Sequence, residues 1–137
     1  LARILAIDYG QKRVGLAITD TLQIIATGLT TVHSKDIFTF LENYLKTENV
    51  EKIIVGNPKT LKNEDSESMK FVKPFVKKLK EKFSPLEIVL FDERFTSKMA
   101  FQAMIDGGLK QKDRRNKALI DKMSAVILLQ SYMEIEK

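Results

Sequence analysis

Residues 3–19 read RILAIDYGQKRVGLAIT, two β-branched apolar runs broken by the turn-like Tyr9-Gly10-Gln11-Lys12. Each run has the length of a strand, and so short a break lets the second fold back on the first. The segment predicts an antiparallel hairpin over 3–8 and 13–19 that opens the protein. It also places an acid, Asp8, at the carboxyl end of a strand, where a side chain emerges into the crevice beyond a sheet. Taken alone, Asp8 reads first as a turn aspartate bonding the backbone of Gly10. The functional reading gains from that glycine, which lets the backbone approach a ligand or an adjacent strand closely.

Working outward, residues 24–32 predict a third strand, with Gly28 marking a bulge or a close backbone approach. Ser34 is placed to cap a helix carrying Ile37, Leu41, Tyr44 and Leu45 at helical spacing. Residues 52–56 form a buried strand stopped by Gly56-Asn57-Pro58, and the polar stretch 59–68 reads as a loop. Phe71, Val72, Phe75, Val76, Leu79 and Phe83 share one helical face, with lysines on the other. Pro74 means that this helix either starts just before it or kinks. A strand over 86–91 follows, then a helix capped by Thr96 and stopped at Gly107-Gly108, a basic loop, and a last helix over about 116–133. The order βββαβαβαα predicts a single α/β domain over 1–137. Its five-stranded mixed sheet has the first three strands antiparallel and is flanked by helices.

A chain of 137 residues can bury a sizeable core without staples. Having no cysteine, it has no disulfide, thiolate metal site or cysteine nucleophile. No apolar run is long enough to span a bilayer. The first apolar stretch is broken at Asp8 with no small-residue cleavage pattern, so a cytoplasmic protein without a signal peptide is expected. The net charge of +5 leans toward an anionic partner. Lys110, Lys112, Arg114, Arg115 and Lys117 crowd one polar segment that could hold a polyanion. His33, the only histidine, offers no support for a serine-type triad.

Two further acidic segments complete the pattern. Asp92 and Glu93 are consecutive, so on an extended chain they point to opposite faces. Apolar residues on both sides of that strand leave open which acid enters a site, and either could pair with Arg94. Asp121 opens the run Met123–Leu129, with Ser124, Ala125 and Leu128 on its helical face. Small residues there would let the helix lie close to a sheet and bring Asp121 toward strand ends. The plainer explanation is a carboxylate favoured by the helix dipole. Acids gathered on one spot raise each other's pKa, a cost that divalent metal ions remove, and such a site suits phosphodiester cleavage. Lys59, just past Gly56-Asn57-Pro58, could contact phosphate. The residues therefore point to a metal-dependent nuclease. Its rivals are a non-catalytic nucleic-acid-binding module and an actin-like or sugar-kinase phosphotransferase. The latter needs two such halves enclosing a nucleotide, and this chain has one half's length and no second Asp-x-Gly strand.

Ala6-Ile7-Asp8-Tyr9-Gly10 with Arg13-Val14-Gly15-Leu16-Ala17, Ile53-Ile54-Val55-Gly56-Asn57-Pro58, Asp92-Glu93-Arg94-Phe95-Thr96-Ser97 and Asp121-Lys122-Met123-Ser124-Ala125 resemble the successive motifs of the YqgF (RuvX) family. Its members carry the names Holliday junction resolvase and pre-16S rRNA nuclease. The resemblance covers nearly the whole chain and implies a ribonuclease H-like fold. It also implies a two-metal Mg2+ or Mn2+ site with Asp8, Glu93 and Asp121 as ligands, which favours Glu93 over Asp92. Arg94 would bond phosphate or orient Glu93. Asn57 departs from the family's usual apolar residue, and Ser124 stands for a common alanine. The substrate expected is structured RNA, the 5′ end of a 16S rRNA precursor, ahead of a four-way DNA junction. Ribosome-assembly partners, a monomer or weak dimer, and no membrane partner complete the expectation.

Overall fold

The hairpin forms where the apolar runs predict it. In the computed structural model, which describes residues 2–57, 69–92 and 117–136, β1 (Arg3–Tyr9) and β2 (Arg13–Thr19) pair antiparallel. β3 (Ala26–His33) extends the sheet beyond β2 in the same sense. On the other edge of β1, β4 (Val50–Asn57) and β5 (Glu87–Asp92) add in parallel, giving the order β3-β2-β1-β4-β5. Parallel neighbours need long crossovers, and helices supply them. α1 (Ile37–Thr47) precedes β4, and α2 (Met69–Lys82) precedes β5. As a result β1, β4 and β5 run the same way, and Ile7, Val55 and Leu90 stand in one row near their carboxyl ends.

Alternation along the strands divides the core. Leu5, Ile7, Val14, Leu16, Ile18, Ile53 and Val55 face α1 and α2, meeting Ile37, Leu41, Val72, Phe75, Val76 and Leu79. Ile4, Ala6, Ala17, Ile54 and Phe91 face the last described helix, α3 (Lys117–Ile135), meeting Ala125, Leu128, Leu129 and Tyr132. With both faces covered, the central strands read as nearly continuous apolar runs. No described helix is long and apolar enough to cross a membrane.

Several local details depart from the expected ones. The third strand begins at Ala26, not at residue 24, because Asp20 takes over the preceding amides. Its carboxylate accepts from the N–H groups of Leu22, Ile24 and Ile25, which hold its pKa below the ordinary value, Ile25 most of all. Gln23 adopts a left-handed φ of 56° in that loop. Asp36, the residue before α1, makes no side-chain cap bond; the side-chain cap lies one short turn earlier, at His33, whose Nδ1 accepts from the Lys35 amide at 3.1 Å. Ser34 instead donates to the Gln11 carbonyl and opens a short 3-10 turn, Ser34–Asp36. Pro74 lies inside α2, which begins at Met69. The register shift between Leu16 and Ala17 leaves Leu29 without a partner, a bulge directly beside Gly28. The expected helix after Thr96 and the basic segment 110–116 lie outside the described residues.

Thr19 is the one fully buried polar side chain among the described residues, and its Oγ1 accepts from the Ile4 amide at 2.9 Å. Thr19→Val keeps the shape but strands that buried N–H. A loss of about 1–3 kcal/mol is expected, read as a lower urea midpoint with an unchanged slope.

Candidate active site

Asp8 sits one residue before the end of β1, half-buried, directly opposite Gly15 of β2. It follows Ile4 and Ala6 in strand parity, so its side chain stands on the α3 face of the sheet. Its neighbour Tyr9 turns to the other face and stacks on Phe75 with ring centroids 4.1 Å apart. That contact fixes the strand end from below.

Asp121 arrives from the far end of the sequence because Gly15 has no side chain. A Cβ at Gly15 would lie 2.0 Å from the Asp121 carbonyl oxygen and 3.0 Å from the Lys122 nitrogen. The helix backbone thus rests on β2 at the position beside Asp8. Small residues continue the close seat, with Ala6 and Ala17 on the strands and Ala125 on the helix all fully buried. At Gly28 the three atoms nearest a Cβ all belong to the Lys122 side chain, with Cγ at 2.9 Å.

Arg13 completes the described part of the site. It lies two positions before Gly15 and so on the same face, and its Nε donates to Asp121 Oδ2 at 2.7 Å. Its backbone is set by a tight turn in which the Gly10 amide donates to the Arg13 carbonyl at 3.0 Å. A Cβ at Gly10 would lie 2.7 Å from that oxygen, so the turn requires glycine. Reading the sequence singled out Arg13 only as part of a motif. Its two-residue spacing from Gly15 was the available signal.

Asp8 and Asp121 are therefore brought to one end of the sheet, at the carboxyl ends of β1, β4 and β5. Asp92 closes β5 in register with Asn57. Lys117 is the first residue of α3. Glu93, Lys59, Arg94, Lys110, Lys112, Arg114 and Arg115 lie outside the described residues. Among the described residues no three acids or histidines gather in one place. The two aspartates still supply hard oxygen donors, the type that suits Mg2+ or Mn2+.

Residues 2–135 match the family model described as RuvX, Holliday junction resolvase. The chain belongs to the RuvX family. Over its full 137 residues it is 56% identical to the "Putative pre-16S rRNA nuclease" of Phocaeicola vulgatus, covering 99% of that protein. The protein of the same name from Bacteroides fragilis is 53% identical over the same span, again with 99% covered. Among solved structures, the fowlpox virus resolvase bound to Holliday junction DNA matches with a TM-score of 0.60 at 16% identity, over 98% of both chains. T. thermophilus RuvC with its junction substrate matches at 0.55 and 15% identity, over 100% of this chain and 98% of that one. The fold of this RuvX chain is thus the ribonuclease H-like fold of resolvases, and its family is one of nucleases, phosphodiester hydrolases.

Proposed function

We propose that this RuvX chain is a divalent-metal-dependent endonuclease that trims the 5′ end of pre-16S rRNA in the cytoplasm during ribosome biogenesis. The observation that supports it best is the convergence of Asp8 and Asp121 through Gly15 in a chain similar over its whole length to proteins named for that substrate. Asp8, Asp121 and Glu93 are the residues that would hold Mg2+ or Mn2+, as a pair of ions. Bound there, the ions supply a water of lowered pKa and neutralise charge at the scissile phosphate. The protein's own part is to gather the acids on a rigid strand end and to hold the substrate backbone. Arg94, Lys59 and the basic residues 110, 112, 114, 115 and 117 do the latter. Each phosphate contact adds to the salt dependence of binding. Arg114→Gln with Arg115→Gln should lower the slope of log K against log salt by about 1.5, measured by fluorescence anisotropy.

The deciding experiment cleaves an end-labelled 16S precursor and a labelled four-way junction side by side, with Mn2+ or EDTA. Metal-dependent cutting of the precursor at its 5′ side is expected. Symmetric cutting of the junction alone, with a dimer in sedimentation, would replace this reading by junction resolution. Salt-sensitive binding with no cutting of either would make the chain a binding module.

A further inference from the structure

Asp121 shares its charge before any cation or substrate arrives. Arg13 Nε bonds one of its oxygens at 2.7 Å, and the two side chains are 38% and 24% exposed. Among the described residues this is the guanidinium's one bond, and its terminal nitrogens make none. A planar guanidinium fork matches a phosphate, to which arginine can bond with two N–H groups at once.

We propose that Arg13 is a counterion exchanged between Asp121 and the substrate. In the free protein it neutralises Asp121 and keeps the site's affinity for divalent cations low. When nucleic acid binds, Arg13 passes to a backbone phosphate and leaves Asp121 to the cation. Cation binding is thereby coupled to substrate binding by a residue of this chain. The proposal rests on the reading of Asp8 and Asp121 as cation ligands.

Three observations carry it. The Arg13 backbone is fixed by its bond to the Gly10 amide, so only the side chain needs to move. Arg13 shares the sheet face of Gly15, which stands opposite Asp8 and against the Asp121 backbone, so a phosphate presented to those acids comes within its reach. The pair is partly exposed, and such ion pairs are held weakly enough for a phosphate to compete. A tether of α3 to β2 would use the same bond. A tether alone, however, predicts cation binding unchanged or weakened when the bond is removed.

The first arm is a calorimetric titration of Mn2+ into the free full chain without nucleic acid. Arg13→Gln should bind Mn2+ about fivefold more tightly than the parent, whereas Arg13→Lys, which keeps the charge, should bind nearly as the parent does. Unchanged or weaker binding in Arg13→Gln would overturn the proposal and leave Arg13 a tether. The second arm is free of metal: anisotropy of a fluorescein-labelled single-stranded RNA in EDTA. Asp121→Asn releases Arg13 and should tighten RNA binding. That gain should shrink at least about threefold when Arg13→Gln is also present. Equal gains in both backgrounds would overturn the exchange. Asp8→Asn separates the two failures. If Mn2+ binding ignores both Asp8→Asn and Asp121→Asn, the cation site and the proposal fall together. If it needs Asp8 but ignores Arg13→Gln, the proposal alone falls.

Discussion

Asp8→Asn is expected to leave the protein folded and to lower single-turnover cleavage by at least about a thousandfold, some 4 kcal/mol of transition-state stabilisation. The change is isosteric and keeps one carbonyl oxygen, but it removes the charge that a divalent ion requires. Folding is spared because the ladder between Asp8 and Gly15 is made by backbone atoms. With Glu93 and Asp121 beside it as proposed, loss of one acid also relieves repulsion, so the metal-free melting temperature should hold or rise slightly. The check is cleavage of the labelled precursor by parent and variant at matched Mn2+, beside a thermal melt of each in EDTA. Cutting at the parent's rate by Asp8→Asn would remove Asp8 from the site. A collapsed melt would show that Asp8 is structural.

The hairpin was legible because its signals are local: two short β-branched apolar runs and a break of four residues. The same is true of α2, whose buried positions Val72, Phe75, Val76 and Leu79 follow helical spacing. What escaped depends on contacts between distant residues. Ile24 and Ile25 have the composition of a strand, but Asp20 binds their amides in a loop. Ser34 has the chemistry of a cap, yet the Gln11 carbonyl across the turn claims its hydroxyl. Asp92 and Glu93 could not be told apart because β5 is apolar on both sides. The choice of Glu93 rests on the family resemblance alone. Arg13 was hidden because its partner Asp121 lies nearly the whole chain away and meets it only when α3 seats on Gly15.

That seat makes Gly15→Ala the most informative conservative substitution in the protein. The added methyl would stand 2.0 Å from the Asp121 carbonyl oxygen, well inside the 3.0 Å that real Cβ atoms essentially never breach. Its obstacle is helix backbone, which cannot rotate aside as a side chain does. Nor can α3 simply slide away. Its far half is held by buried Leu128 and Leu129, by the edge contact of Tyr132 with Phe91, and by the Lys52 ammonium donating to Tyr132 Oη at 2.7 Å. The response left is a tilt that lifts the Asp121 end of the helix away from β2 and from Asp8. Overpacking of this kind costs about 2–3 kcal/mol, and displacing one site carboxylate by about 1 Å costs on the order of a hundredfold in rate. Urea unfolding and single-turnover cleavage should therefore both suffer, the second more than the stability loss explains under conditions where the variant is fully folded. Gly28→Ala is the control, because the three atoms nearest its methyl all belong to the flexible Lys122 side chain. It should lose little activity. If Gly15→Ala matched it in both assays, α3 would not rest on β2 at this point, and the meeting of Asp8 with Asp121 would lose its structural basis.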